Sequence, residues 1–317
     1  RTREGRSTVN LTLAAHAVWD EAILGFARSR QPGAVAELSA RVSTEITTMA
    51  QLAAASGWTA NPVSYHRDPP PLQDREVRTL GMVSLPRRHE YVAFESGFAP
   101  RDIEPGAHRW VTPGRNATVY VRLLRHPTPR PWVVCLHGFG GSGSRFEHST
   151  LWASHFHNAL DVNVAVPVLP FHGPRRTSDE AELLSLDLIA TLHGITQALW
   201  DVRRLIGWLR RLDGTPIGVY GQSLGGFLTT LLAGLEPVDG VVAGVPFVDV
   251  LDLMAHHGPP AQYSSVLRAD SAYAAFRTVS PLALAPVLPA DRRTVLAGRV
   301  DQLIPTAQSI RLEQAWR

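Results

Sequence analysis

The chain has 317 residues, of which 44% are hydrophobic and 19% are charged, and this balance fits a globular protein and excludes a disordered or fibrous one. The net charge is +3, and the 31 basic residues are all arginines that occur singly or in pairs, so we expect no nucleic-acid partner. No apolar run is long enough to predict a membrane-spanning helix, and the single Cys135 excludes an internal disulfide and favours a cytoplasmic location.

The first third of the chain differs in composition from the rest. The segments 9–26 and 34–55 are rich in Ala, Leu and Glu, and we predict that both are helices separated by a Pro-Gly pair. The run 69–71 is three consecutive prolines, which cannot be helical. We therefore predict a helical extension with a Pro-rich link over residues 1–85, packed on a main domain of residues 86–317. A role at a membrane surface or with an unknown partner is the alternative.

Strand patterns begin near residue 90. Residues 91–95 and 117–124 alternate between apolar and polar, as antiparallel strands with one solvated face do. The later strands are apolar on both faces, which is typical of parallel strands covered by helices on both sides. We predict these strands at 132–136, 164–169, 217–220, 241–245 and 294–297. Helical patterns fill the gaps, most clearly at 195–211, so the sequence predicts an α/β fold with a mixed, largely parallel sheet.

The segment between the last two of these strands is longer than a crossover helix needs. We predict that its surplus, residues 249–290, forms a lid over the carboxyl edge of the sheet. Three aromatic residues of the lid favour a hydrophobic substrate, and they are Tyr263, Tyr273 and Phe276.

A predicted strand runs directly into Gly-Gln-Ser-Leu-Gly at 221–225, and a helical pattern follows. In a Gly-x-Ser-x-Gly turn the serine occupies a tight strand-to-helix connection, and Gly221 and Gly225 have no Cβ atoms that would keep the strand and the helix apart. Such a turn exposes the Ser223 hydroxyl at the sheet edge, where the N-terminus of the helix favours negative charge. The pattern predicts a serine nucleophile.

A second glycine-rich segment, His-Gly-Phe-Gly-Gly, follows the strand 132–136. Its glycines leave backbone N–H groups uncovered, as acyl transfer requires for the negative oxygen of its intermediate. We assign the N–H groups of Phe139 and Leu224 as the donors, and we expect His137 to shape the loop rather than to transfer a proton. The glycines of this loop are Gly138, Gly140 and Gly141.

The order of the two motifs resembles the α/β-hydrolase superfamily of serine esterases and lipases, in which such a His-Gly loop precedes the nucleophile turn. The resemblance covers about residues 90–317 and implies the fold of that family. It also implies a triad acid within a Gly-x-x-Asp-x-x-x-Pro pattern after a later strand, and residues 298–305 have this pattern, so Asp301 is the implied acid. The alternatives are a helix-capping role for Asp301 and an acid at Asp249, where some relatives place it.

The resemblance further implies a histidine base, one helix and one strand beyond the acid. The 16 residues after Asp301 contain no histidine. Because a whole strand and helix are missing, which leaves an unpaired sheet edge, we expect the chain to be truncated, and the alternative is a base from elsewhere in the sequence. His172 follows a predicted parallel strand and so lies on the same edge as Ser223. We expect it to shape its loop, with a functional polar role in the pocket as the alternative.

Together the motifs predict a serine hydrolase that cleaves a carboxylic ester or a related acyl bond through an acyl-enzyme on Ser223. We expect no cofactor, and we expect no metal because no cluster of His, Cys and Asp has metal-ligand spacing. An acyltransferase, a peptidase or a thioesterase with the same groups, and a non-catalytic scaffold that kept the fold, are the alternatives.

Overall fold

The computed structural model describes residues 35–83, 89–110, 114–139, 147–177, 182–258, 261–298, 301 and 303–317. The predicted helix 9–26 lies outside these residues. The described strands are β1 (Arg78–Val83), β2 (His89–Glu95), β3 (Thr118–Leu124), β4 (Trp132–Leu136), β5 (Asn163–Pro167), β6 (Ile217–Gln222), β7 (Gly240–Gly244) and β8 (Arg293–Leu296).

The eight strands form one sheet in the order β1-β2-β3-β5-β4-β6-β7-β8. The first three strands form an antiparallel meander, and β3 pairs antiparallel with β5. The remaining pairs are all parallel, so the carboxyl ends of β5, β4, β6, β7 and β8 meet at one edge. The predicted mixed, largely parallel sheet is confirmed.

The seven predicted strands are present, with ends that shift by at most two residues. Strand β1 was not predicted, because we assigned its first residues to the Pro-rich link. It is an edge strand in which residues 78–81 are all exposed, and its pairing with β2 is irregular between Thr79 and Gly81. A strand in which residues 78–81 are exposed and include a glycine carries little hydrophobic pattern for sequence analysis to detect.

The described helices are α1 (Val35–Ala55), α2 (Ala107–Trp110), α3 (Glu147–Ala159), α4 (Leu188–Asp213), α5 (Leu224–Leu235), α6 (Val250–His256), α7 (Ala261–Leu267), α8 (Asp270–Phe276) and α9 (Thr306–Ala315). Short 3-10 turns occupy Pro62–Tyr65, Asp74–Glu76, Arg115–Ala117, Gly173–Arg175, Arg277–Val279 and Ala290–Arg292. In this described part of the chain, none of the helices combines the length and the apolar composition that crossing a membrane requires.

Helix α4 is longer than the predicted helix 195–211. It begins at Leu188 because the Asp187 side chain accepts the N–H of Ala190 at 3.0 Å and so caps the first turn. It ends before Gly214, which has a left-handed φ of 62°.

Helices cover both faces of the sheet. On one face, Cys135 of β4 and Val164 of β5 pack against Ala153 of α3. Their neighbours along the strands, such as Val134, point the opposite way and join the large core beneath α4 and α5. Burial raises the pKa of the Cys135 thiol above its usual value. The predicted layering of an α/β fold is therefore confirmed.

Helix α1 packs against α4, α7 and α8 through one apolar stripe. The stripe residues are spaced by four, three and four positions, as one face of a helix requires, and they are Val42, Ile46, Met49 and Ala53, all buried. The predicted helix 34–55 is confirmed over residues 35–55.

Charged contacts hold α1 to two other elements. Glu45 accepts two hydrogen bonds from Arg109 of α2, at 2.6 and 2.8 Å, and a third from Arg41 at 3.0 Å. Arg41 also bonds Asp187, the cap of α4, at 2.8 Å. The helix is thus fixed beside the start of α4 and against α7 and α8 of the predicted lid segment.

Candidate active site

Ser223 connects β6 to α5 in a backbone conformation that few non-glycine residues adopt, with φ 55° and ψ −114°. Its N–H donates to the carbonyl of Gly244, at the end of β7, at 2.9 Å. Its own carbonyl accepts the N–H of Phe227, in the first turn of α5, at 2.9 Å. A turn that is fixed at both ends therefore presents the partly exposed Ser223 at the carboxyl edge of the sheet.

The glycines beside Ser223 are required by direct backbone contact. A Cβ atom on Gly221 would overlap the carbonyl group of Gly225. A Cβ atom on Gly225 would overlap the carbonyl of Leu136 and lie 2.9 Å from the carbonyl oxygen of His137. Helix α5 thus starts in contact with the backbone of β4 as well as β6, which explains the glycine spacing in the motif.

His137, directly after β4, uses both ring nitrogens in the fold. Its Nε2 accepts the N–H of Leu169 at 3.1 Å, so the proton is on Nδ1, which donates to the carbonyl of Gly138 at 2.8 Å. Burial lowers the pKa of His137 to about 4, so the ring is neutral near pH 7. The ring shapes the loop and has no free nitrogen to accept a proton from a serine.

The loop after β4 passes beside the serine. A Cβ atom on Gly138 would lie 3.6 Å from the Ser223 Cβ. Phe139 follows directly, with its side chain 37% exposed, and Leu224 is the first residue of α5. The N–H groups of Phe139 and Leu224 thus come from two segments that flank Ser223, and N–H groups in the first turn of a helix lack intrahelical acceptors. Two further glycines of the predicted loop lie outside the described residues, namely Gly140 and Gly141.

Asp301 lies at the same sheet edge, two strands away from Ser223. A Cβ atom on Gly298, just after β8, would lie 3.1 Å from the Asp301 Cβ and 3.5 Å from Val245 Cγ1, just after β7. Asp301 Oδ1 accepts the N–H groups of Leu303 and Ile304 at 2.9 and 2.8 Å. One carboxylate oxygen therefore closes a local turn ahead of α9 and fixes the carboxylate at the edge. The N-cap residue of α9 is Pro305, so the alternative of a helix-capping role for Asp301 is wrong.

Asp249, the alternative acid, is engaged in local structure. It caps α6, since its Oδ1 accepts the N–H of Asp252 at 3.0 Å, and its Oδ2 lies 3.7 Å from Arg311. Its own N–H donates to the Gln308 side chain at 2.9 Å. Both carboxylate oxygens of Asp249 therefore have neighbours in local structure.

Comparison with known sequences places these residues in a family. The sequence model described as the alpha/beta hydrolase family matches residues 133–317, a range that includes both glycine-rich motifs and Asp301. The chain belongs to the alpha/beta hydrolase family. Two uncharacterized proteins of Mycobacterium tuberculosis, from strains CDC 1551 / Oshkosh and ATCC 25618 / H37Rv, are each 35% identical to this hydrolase-family chain over 96% of its length and 75% of their own.

Two solved structures share this fold at low sequence identity. The acetyl xylan esterase from Paenibacillus sp. R4 aligns with a TM-score of 0.53 and 13% identity, over 81% of this chain and 89% of the esterase. Acetyl xylan esterase 1 from Thermoanaerobacterium sp. JW/SL YS485 aligns with a TM-score of 0.51 and 15% identity, over 82% and 83%. The predicted resemblance and the α/β-hydrolase fold are confirmed.

In this alpha/beta hydrolase, His172 is buried just beyond β5. Its Nδ1 donates to the carbonyl of Pro170 at 2.8 Å. Its ring lies 4.9 Å from the His137 ring and 5.9 Å from the Phe139 ring, edge to face in both cases. Burial, and then the neighbouring His137, lower the pKa of His172 to about 3. His172 therefore packs as a neutral ring against the loop that carries Phe139.

The hydrogen bond from the Leu169 N–H to His137 was not predicted. It links the segment after β5 to the loop after β4, and it forms because β5 lies beside β4 in the sheet. The order of strands along the chain does not reveal this adjacency, because several strand orders satisfy the same alternation of strands and helices. The donor is a backbone N–H group, which almost every residue type has, so the identity of Leu169 does not indicate the hydrogen bond.

The predicted lid segment reaches the loop of Asp301 through His257. Its Nε2 donates to the carbonyl of Leu303 at 2.8 Å. Leu303 is also the residue whose N–H binds Asp301. His257 thus anchors the end of α6 to the loop that holds the candidate acid.

Proposed function

We propose that this protein is a serine hydrolase that cleaves a carboxylic ester or a related acyl bond through a covalent acyl-enzyme on Ser223. The observation that carries the proposal is the contact between two glycine-rich turns, in which Gly138 of the β4 loop lies beside the strained Ser223. We propose that the Ser223 hydroxyl and the N–H groups of Phe139 and Leu224 converge on one point, which is the arrangement that acyl transfer needs.

In the proposed reaction, Ser223 Oγ attacks the carbonyl carbon of the ester. The oxygen that becomes negative accepts hydrogen bonds from the N–H groups of Phe139 and Leu224, and the N-terminus of α5 stabilises the same charge. The intermediate then expels the alcohol, which leaves with the proton taken from the serine. Water attacks the acyl-enzyme in the second step, releases the acid and restores Ser223.

Proton transfer requires a histidine between Ser223 and Asp301. Adjacent strands lie about 4.8 Å apart, so the ends of β6 and β8 are roughly 10 Å apart, and an imidazole ring above β7 fits that gap. His137 is excluded, because both of its nitrogens are engaged. His172 lies beyond β4 on the side of Ser223 away from Asp301, so Asp301 does not orient it. The proposed base is therefore a different histidine, held by Asp301.

The substrate side of the proposal rests on Phe139. Two of the three aromatic residues of the lid segment, Tyr263 and Phe276, are buried in the core, so they do not provide a free apolar surface. Phe139 directly follows Gly138, which lies beside Ser223, and its side chain is 37% exposed, so we propose that it offers apolar contact to an acyl or alcohol group. Because the fold is shared with two acetyl xylan esterases, we propose small acyl esters as the first substrates to test.

Rapid-quench mass spectrometry tests the proposal. With p-nitrophenyl butyrate, we expect a burst of nitrophenol and a butyryl adduct on the peptide that contains Ser223. Ser223→Ala should abolish both signals, and Ser64→Ala, at an exposed serine outside the site, should change neither. Hydrolysis without an adduct would contradict the acyl-enzyme, and absence of turnover with every ester tested would favour a non-catalytic scaffold.

A further inference from the structure

A buried ion pair lies behind the segment that supports the β4 loop. Arg175 ends the 3-10 turn after β5, and Asp201 lies in α4. Their side chains are 0% and 2% exposed, and a guanidinium nitrogen of Arg175 lies 2.8 Å from a carboxylate oxygen of Asp201. Arg175 also donates to the carbonyls of Val168 and Asn116, each at 2.8 Å. Removing two charges from water is costly, and a buried pair of this kind often adds little to stability. We therefore consider a role for the Arg175–Asp201 ion pair other than stability.

The pair belongs to a wider polar network that joins four elements. The second oxygen of Asp201 accepts the Ser96 hydroxyl, just after β2, at 2.5 Å. Gln197 of α4 donates to the same hydroxyl at 3.3 Å, and Asn116 donates to Gln197 at 3.0 Å. The network thus ties α4, the end of β2 and the start of β3 to the segment after β5.

The segment after β5 contains a strained residue that this network holds. Phe171 has a φ of 61°, a left-handed conformation that bulky residues rarely adopt. Its N–H donates to the side-chain oxygen of Asn116 at 3.2 Å. Arg175 fixes the same segment on both sides of Phe171, because it bonds the carbonyl of Val168 and follows the turn that His172 begins. Such conformations persist only where the surroundings over-determine them.

The strained segment in turn supports the loop that carries the proposed oxyanion donor. Leu169 donates its N–H to His137, and the His172 ring packs against the rings of His137 and Phe139. A continuous set of contacts therefore runs from the ion pair on α4, through residues 168–175, to Phe139.

We propose that Arg175 and Asp201 are positioning residues that fix the backbone N–H of Phe139 for catalysis, acting through the segment 168–175. The proposal rests on the proposed function and adds to it two buried residues that act on the active-site edge from behind. An ion pair suits this task because it fixes direction as well as distance, and a fully buried arginine that also donates to two backbone carbonyls has few alternative arrangements. Placement of an oxyanion donor matters, because loss of one such donor costs about 10²–10³-fold in kcat.

The kinetic test compares Asp201→Asn with the matched variant Glu236→Gln. Glu236 also pairs with arginines of α4, Arg203 and Arg210, at 3.1 and 3.3 Å, but it lies at the C-terminal end of α5, whose N-terminal end carries Ser223. For p-nitrophenyl butyrate we expect Asp201→Asn to lower kcat by about 10- to 100-fold with KM within about twofold, because the donor acts on the transition state. Binding of a trifluoromethyl ketone, which forms a tetrahedral adduct, should weaken by the same factor. Glu236→Gln should change none of these values.

A milder variant and a spectroscopic measurement keep the test decisive. Ser96→Ala removes one hydrogen bond to Asp201 and should lower kcat in the same direction by a smaller factor. In protein labelled with ¹⁵N at His and Phe, Asp201→Asn should shift the Nδ1–H signal of His137 and the backbone N–H signal of Phe139, and Glu236→Gln should leave both in place. Unchanged signals would overturn the positioning role whether or not the protein hydrolyses esters. If the wild-type protein hydrolyses esters, shifted signals with unchanged kcat in Asp201→Asn would also overturn the positioning role. If the wild-type protein is inactive, shifted signals would reject the hydrolase proposal and retain the structural link between Asp201 and the β4 loop.

Discussion

At the scale of single residues, strain and close contact are concentrated at one turn. A backbone conformation such as that of Ser223 costs a non-glycine residue of order 1–3 kcal/mol. The hydrogen bonds to Gly244 and Phe227 and the packing of α5 on bare glycine backbone hold it in place. The turn therefore depends on the absence of side chains at Gly221 and Gly225.

Substitution of these glycines measures that dependence. Gly225→Ala places a Cβ against the carbonyl of Leu136, so α5 must move away from β4. We expect it to lower the free energy of unfolding by about 3 kcal/mol or more, as overpacking against rigid backbone does. Gly207→Ala, in α4, meets nothing within 4 Å and should raise the free energy of unfolding by about 0.5–1 kcal/mol. Urea denaturation of both variants checks the pair, and equal effects would contradict the packing described here.

Buried neutral histidines predict how stability depends on pH. Burial lowers the pKa of His66 and His137 to about 4 and that of His172 to about 3. The unfolded chain, with a histidine pKa of about 6.5, therefore binds more protons, so stability is complete above pH of about 6.5 and is lost as the pH falls toward 4.

Each such histidine adds a slope of up to about 1.4 kcal/mol per pH unit to the free energy of unfolding within that window. Urea denaturation between pH 7.5 and pH 4.5 should show the decline, and His137→Gln should reduce its slope by one proton's contribution. A slope that His137→Gln leaves unchanged would contradict the buried neutral state of His137.

The sequence indicates some residues of the site and not others. Ser223 and its glycines stand out because the turn excludes other residue types. The contacts of Leu169, Phe171 and Arg175 carry no such signal, because arginines and apolar residues are frequent throughout the chain and only the folded strand order brings these three near His137.

At the scale of elements, α1 behaves as part of the core rather than as a tail. Its buried stripe packs on α4, α7 and α8. We propose that α1 unfolds together with the rest of the described chain. Met49→Ala, at a fully buried position, should then lower the global free energy of unfolding by about 2–5 kcal/mol.

The matched variant is Thr48→Ala, at an exposed position one residue earlier in α1, which should change the free energy of unfolding by less than about 0.5 kcal/mol. Tryptophan fluorescence and circular dichroism should report one coincident transition in both variants. A separate early transition in Met49→Ala, with the main transition unmoved, would show that α1 is an independent extension.

Helices and strands with a clear hydrophobic pattern were predicted well, and those without one were not. Strand β5 is buried at every position because helices cover both faces of the sheet there, and its continuous apolar run reflects that burial. Strand β8, at the edge, was expected to be covered on both faces, but its residues alternate between half-buried and exposed. Strand β1 has an exposed outer face and left no comparable record. Residues 188–194 of α4, about two turns, were missed because the apolar period is clear only from Ile195 onward, whereas the start of the helix depends on the cap at Asp187.

At the scale of the whole molecule, the sheet gathers distant segments at one edge. The segments after β5, β4, β6, β7 and β8 lie side by side there and bring His172, Phe139, Ser223, Val245 and Asp301 into that order. The fold class followed from the sequence, because alternating strands and helices allow few architectures. The contacts across the edge did not follow from the sequence. They depend on which strands are neighbours in the sheet, and that order differs from the order of the strands along the chain.

The central claim is that Ser223 is an activated nucleophile, and active-site labelling tests it most directly. The full-length protein would be treated with a fluorophosphonate probe and analysed by intact mass and peptide mapping. We predict one adduct per chain, located on Ser223, abolished by Ser223→Ala and greatly slowed by Asp301→Asn, since the proposed role of Asp301 is to orient the base that activates the serine. Labelling at another residue, or no labelling of the folded wild-type protein, would contradict the claim.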